Sequence, residues 1–276
     1  MSGIQREAEG GSRINKEIRV SRDAETPEIA TVEVHSPDSH NAIALSMYRR
    51  IPEVFAELDA DPTVKVIVVR GAGTRSFASG ADISEFEEIR SNSASAKAYN
   101  EDVAAAEHAV EGCTKPTIAM VHGYCIGGGC GLALACDIRF ADERSRFGIT
   151  PAKLGLVYSL ESTKRLVDVV GPSRAKWILF SGQHVYAEDA LRLGLIDELI
   201  PAEDLEKQTY EFARLVTTRA QFSVRSSKRI VDLVLGGQTV DDDITVDIRN
   251  SSFDTEDYAE GVRSFLEKRP PRFTWS

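Results

Sequence analysis

Apolar positions recur along this chain with two periods, and the change from one to the other marks its elements. EIRVSR (residues 17–22) and IATVEVHS (residues 29–36) alternate every second position, which predicts two strands. Ala44 to Leu58 carries apolar residues at helical spacing, and Pro62 stops the chain ahead of a strand over 64–70. Val66–Val69 and Ile118–Val121 are uninterrupted apolar runs of strand length. Between them, Ser91 to Glu111 reads as a polar, alanine-rich helix. From Leu160 onward the pattern is mostly helical. LESTKRLVDVVG, PSRAKWILFSG and AEDALRLG each end at a glycine, and Ser223–Leu235 and Thr255–Lys268 complete a helical last third. No repeat of solenoid length and no low-complexity linker interrupts the chain.

Twice a β-branched run ends in a glycine-rich loop that opens a helix: VKVIVVRGAGTRSFASGADISEF (residues 64–86) and PTIAMVHGYCIGGGCGLALACD (residues 116–137). Glycine turns the chain where φ is positive, and a helix start carries about half a positive charge with several unpaired N–H donors. Two such starts aimed at one point hold a negative oxygen without any cationic side chain, as an oxyanion hole requires. Either loop alone is also an ordinary strand-to-helix turn.

Other chemistry fits the sequence less well. Gly71-Ala-Gly73-Thr-Arg-Ser76 follows a strand, but Ser76 stands at the third glycine of a dinucleotide loop and no helix starts there. No Gly-Lys-Ser/Thr of a P-loop is present either. Gly123-Tyr-Cys125-Ile-Gly127 has the setting of a nucleophile elbow, which would make the chain a Cys125 hydrolase. The histidine downstream of it, His184, lies in a polar stretch entering a helix. Cys113, Cys125, Cys130 and Cys136 form no CxxC pair, and His122 with Cys125 and Cys130 lacks a fourth ligand, so no metal is expected. The 276 residues are 42% hydrophobic, enough for a full core, and the net charge of −10 argues against a nucleic-acid partner. No signal peptide and no apolar run of membrane length stands out, which predicts a cytoplasmic location.

SHNAIA (residues 39–44, with Ala42), VIVVRGAGTRSFASGADISEF, GYCIGGGCGLALACDIRFAD (residues 123–142), RFGITPAKLGLVYS and EDYAEGVRSFLEKRPPRF together resemble the crotonase, or enoyl-CoA hydratase/isomerase, superfamily from about residue 17 to the end. The resemblance implies an α/β fold, a crotonase-type spiral of β-β-α turns over 17–200. Before it comes a mobile tail over 1–16, and after it a helical C-terminal region over 201–276 that forms a trimer or a dimer of trimers. It implies an acyl-coenzyme A thioester as substrate and no cofactor beyond that coenzyme A. By its motifs the oxyanion donors are the backbone N–H groups of Ser79 and Gly128. The acyl-CoA site takes in Ala42, Ala78, Ser79, Gly80, Ala81, Asp82, Gly127 and Gly128, while Phe265 and Lys268 meet the adenine end, often of a neighbouring subunit's ligand. The side chain of Asp82 can equally cap the helix that begins there.

The chain departs from the family at two places. Hydratases carry a glutamate three residues after the oxyanion glycine and another in an FGxPE segment; here those positions are Gly131 and Pro151. Neither transfers a proton, and hydration needs two acid/base groups. Thr150 to Leu160 resembles the TPxxLGxxYxL stretch of methylmalonyl-CoA decarboxylases, which points to Tyr158 as a pocket hydroxyl. Those enzymes nevertheless have histidine at Ala81 and glutamate at Gly131. Glu161 lies near the carboxylate position of isomerases, or is a solvated first-turn residue. The expectation is enolate chemistry of decarboxylase or isomerase type. A hydratase with unusual proton donors and a non-catalytic acyl-CoA-binding relative are the alternatives.

Overall fold

The computed structural model of the chain describes residues 16–86 and 92–274, so most of the expected 1–16 tail lies outside the described residues. Strand β1 (Glu17–Arg22) forms an antiparallel edge on β2 (Ile29–His35). The sheet continues in parallel through β3 (Val66–Gly71), β5 (Thr117–Val121), β7 (Ile138–Asp142) and β10 (Glu198–Ile200). A second sheet joins β4 (Ser76–Ala78), β6 (Tyr124–Ile126), β8 (Arg146–Gly148) and β9 (Val185–Tyr186). Thus each of β3, β5 and β7 hands the chain to a short strand of the second sheet. This is the β-β-α spiral.

The parallel strands are apolar at nearly every position because both faces of their sheet are covered. Ala30, Val32, Ile67, Val69, Ala119 and Val121 join the main core, whose helices are α1 (Leu45–Ala60), α2 (Ser93–Glu111) and α3 (Gly128–Ala135). The alternate residues Ile29, Val66, Val68, Ile118 and Met120 meet Leu205, Tyr210 and Ala213 of α7 (Leu205–Thr217), a helix the periodicity reading left unassigned. Helix α1 runs through Pro52. Its stripe of Met47, Tyr48, Ile51, Val54, Phe55 and Leu58 is buried, and that packing outweighs the donor lost at the proline.

The remaining helices are α4 (Leu160–Val170), α5 (Pro172–Ser181), α6 (Ala187–Leu193), α8 (Gln221–Leu235), α9 (Asp243–Ser251) and α10 (Glu256–Leu266). Helix α9 was also unassigned; the pair Asp242 and Thr245 forms its capping box. No helix among the described residues is long and apolar enough to cross a membrane.

One buried polar node ties the two sheets at their corners. The Asp142 carboxylate, at the end of β7, accepts hydrogen bonds from His122 Nδ1 (3.1 Å), Arg144 Nη2 (2.8 Å) and Ser145 Oγ (2.9 Å). Burial alone would push the Asp142 pKa up, but these three donors outweigh it and hold it down to about 2. A carboxylate depressed in the folded state stabilises above its unfolded value near 4, and that contribution disappears as pH falls through about 2. It amounts to about 2 kcal/mol at neutral pH. Asp142→Asn should therefore melt well below the parent at pH 6, with the gap closing between pH 4 and pH 2; thermal melts across that range check it.

Candidate active site

Strands β4 and β6 are parallel neighbours, paired at Ser76 with Tyr124 and at Ala78 with Cys125, so the chain leaves both at the same end of the second sheet. From β4 it enters Ser79-Gly80-Ala81; from β6 it enters Gly127-Gly128 and α3. The loops then touch through backbone. A Cβ on Gly80 (φ +103°) would sit 3.1 Å from the Ile126 carbonyl oxygen and 3.8 Å from the Gly128 nitrogen. One on Gly129 would fall on the Ala78 carbonyl oxygen, and one on Gly128 on the Tyr48 hydroxyl. Side chains at these positions would hold the loops apart. Gly128 is the first residue of α3, so its N–H has no carbonyl one turn behind it.

The Ser79 loop rests on residues 39–41. His40 and Asn41 adopt left-handed backbone (φ 53° and 56°). The buried Asn41 amide donates to the carbonyls of Ala72 (3.0 Å) and Ser76 (2.7 Å) and accepts from Ser36 N–H (3.1 Å), which clamps the β3–β4 turn. Ser79 Oγ donates to the Ser39 carbonyl (3.1 Å), and the Ser79 N–H donates to the His40 carbonyl (3.1 Å). Of the two expected oxyanion donors, then, Gly128 N–H lies at a helix start, whereas Ser79 N–H is bonded within the chain. Ala42 and Ala78 are buried beside them, and Ala81 bridges to Ile43. The Asp82 carboxylate caps the 3₁₀ turn Ile83–Glu85 through Ser84 N–H (3.0 Å) and pairs with Lys16.

One turn into α3, the missing side chain of Gly131 leaves room that another element fills. A Cβ there would fall on Glu107 Oε1, from α2, with the Tyr158 hydroxyl 3.4 Å away. Glu107 is only 3% exposed. Its Oε2 accepts from Ser162 Oγ (2.6 Å) and Arg165 Nη1 (2.6 Å), and Arg165 also reaches Glu111 (2.7 Å). Burial pushes the Glu107 carboxyl up against the opposing pull of Ser162 and Arg165. Burial likewise raises the hydroxyls of Tyr48 and Tyr158 well above the ordinary tyrosine range.

Glu161 is not part of this cluster. It is 51% exposed and faces His108 Nε2 at 3.3 Å, as a solvated first-turn residue would. Phe265 and Lys268 stand at solvent-facing positions on and just past α10, and Pro151 opens a 3₁₀ turn over Pro151–Leu154. Sequence reasoning missed Glu107, although a signal existed: it shares the buried face of α2 with Tyr99, Ala106 and Val110. Cys125 has no exposure, and burial raises its thiol far above the range of a reactive thiolate, which removes the nucleophile-elbow alternative.

Comparisons with known proteins agree with this geometry. The sequence model of the enoyl-CoA hydratase/isomerase family matches residues 24–275. A short-chain-enoyl-CoA hydratase of Clostridium acetobutylicum is 31% identical over 245 residues, 87% of this chain and 92% of that one. A crotonyl-CoA hydratase of Syntrophomonas wolfei is 30% identical over 249 residues, covering 89% and 94%. The crystal structure of an enoyl-CoA hydratase/isomerase family protein from Hyphomonas neptunium superposes with a TM-score of 0.90 at 40% identity, over 94% of this chain and 98% of that one. The chain belongs to the enoyl-CoA hydratase/isomerase family of acyl-CoA enzymes and has the crotonase fold.

Proposed function

We propose that this enzyme stabilises the enolate of an acyl-CoA thioester and that adding water to a double bond is not its main reaction. The observation that carries this reading is the pairing of a helix-start N–H at Gly128 with positions 131 and 151 that bear glycine and proline. The thioester oxygen takes up negative charge as its α-carbon loses a proton or carbon dioxide. A fixed N–H at a helix start meets that charge with no reorganisation. Ser79 N–H becomes the second donor when the oxygen competes with the His40 carbonyl for it. Decarboxylation asks for no base, because carbon dioxide leaves with the bond broken, and double-bond migration asks for a single proton carrier. Hydration asks for two groups acting on one water. The relatives above are named hydratases, so this is where the present chain diverges from them. Tyr158, its buried hydroxyl beside Gly131, is the nearer candidate for an auxiliary role; Glu161 would have to leave His108 to act. The solvent-facing Phe265 and Lys268 suit contact with coenzyme A across a subunit boundary in a trimer.

Purified protein should hydrate crotonyl-CoA far below the ~1–10³ per second of ordinary enzymes, since each absent acid/base group is worth roughly 10²–10⁴-fold. Mass spectrometry of malonyl-, methylmalonyl-, 2-enoyl- and 3-enoyl-CoA incubated with the enzyme identifies the reaction that replaces it; ordinary hydratase turnover would overturn the reading. Gly131→Glu should not restore hydration, because Glu107 already occupies the space beside that position.

Gly128→Pro removes the N–H at the helix start with a residue suited to the first turn, and it is compared with its parent in a Tyr48→Phe background, because a Cβ at 128 would fall on the Tyr48 hydroxyl. Turnover of the identified substrate should fall by a barrier of about 2.7–4 kcal/mol. Ser79→Pro tests the second donor in the same assay, and an undiminished rate in both variants would remove the oxyanion assignment.

A further inference from the structure

Glu107 is a charged residue in the buried stripe of a helix, and the fold does not need it there for solubility or for capping. One of its carboxylate oxygens is fixed: Oε2 is held by Ser162 and Arg165, each at 2.6 Å. The other, Oε1, is directed to the point where Gly131 would carry a side chain. Gly131 follows Gly128 by three residues of one helix, so its backbone lies about 4.5 Å farther along the axis than the oxyanion donor's, and Oε1 lies against that position. A hydrogen bond of about 2.9 Å from that N–H to the thioester oxygen, followed by the C=O and C–C bonds, spans a similar length to the carbon beside the carbonyl. The residue types around it follow the same logic. Glycine at 131 leaves the volume that Glu107 Oε1 occupies, and a side chain there would displace it. The Tyr158 hydroxyl flanks the same point.

We propose that Glu107 is the catalytic acid/base of this enzyme, delivered from α2 through the gap at Gly131 in place of the carboxylate that hydratases carry on α3. The inference rests on the enolate reading above. Oε1 takes the proton from the carbon next to the thioester carbonyl. The C–H electron pair becomes the C=C bond of the enolate, and the carbonyl pair moves onto the oxygen held at Gly128. Return of the proton to the same carbon, or to the far end of a conjugated double bond, restores the carboxylate and consumes no co-reactant. For a malonyl-type thioester the C–C electron pair becomes the enolate C=C bond as carbon dioxide leaves; a Glu107 carboxyl already protonated from solvent then gives its proton to the enolate carbon, and water reprotonates the carboxylate. Burial in the apolar stripe suits the role, because it favours a carboxyl that holds its proton long enough to return it.

Butyryl-CoA tests this step in isolation, because it can neither take up water nor move a double bond. In D₂O the parent enzyme should exchange the α-protons of butyryl-CoA, read as mass gain. Glu107→Gln, which keeps an acceptor for Ser162, should slow exchange at least 100-fold. Glu107→Asp, which keeps the charge for Arg165 but withdraws the oxygen by one methylene, should slow it at least tenfold. Calorimetric affinity for butyryl-CoA should stay within about threefold in both. If the Gln variant fails to fold, the Asp variant decides alone. Folded variants that exchange at the parental rate would overturn the role of Glu107 and leave the enolate reading intact. A parent enzyme that binds butyryl-CoA and exchanges nothing would overturn both.

Discussion

The site depends on backbone approaching backbone. Two three-residue strands, β4 and β6, pair in parallel, and the loops that leave them come within van der Waals distance because Gly80, Gly128 and Gly129 have no Cβ. Short strands of this kind contribute few ladder hydrogen bonds of their own, so their position is set by what holds their ends. Where the chain enters β4, the Asn41 side chain bonds the carbonyls of Ala72 and Ser76. Beside it, where the chain passes from β5 into β6, Asp142 collects His122, Arg144 and Ser145. Both devices are side-chain amides or carboxylates replacing backbone pairing where the chain changes sheets, as buried polar groups must be satisfied.

The same accounting applies to the cluster at Gly131. A buried ion pair repays its desolvation only with good geometry, and replacing such pairs by apolar residues is often neutral or stabilising. Glu107 and Arg165 are both nearly buried, and Arg165 divides itself between Glu107 and Glu111. The arrangement keeps one carboxylate oxygen saturated and leaves the other facing a glycine. The polar choice is what the proposed acid/base role of Glu107 would require, a carboxylate brought from α2 to the α2–α3 contact at Gly131.

Much of this was written in the chain itself. Continuous apolar runs at 66–69 and 118–121 announce strands covered on both faces, and the glycine clusters announce close approach. These are local properties, set by φ preference and side-chain volume. The three-residue strands were not legible, because they are too short to show a period. Helix α7 was missed for a related reason: its buried face includes Thr209 and Thr217, which blunt the apolar stripe. That Ser79 N–H bonds the His40 carbonyl, that Glu161 turns to His108, and that Glu107 turns to Gly131 were decided only by tertiary structure. Each depends on which segment meets which neighbour across 24 to 53 positions, and a group's direction is settled by the partners that burial leaves it, not by its own identity.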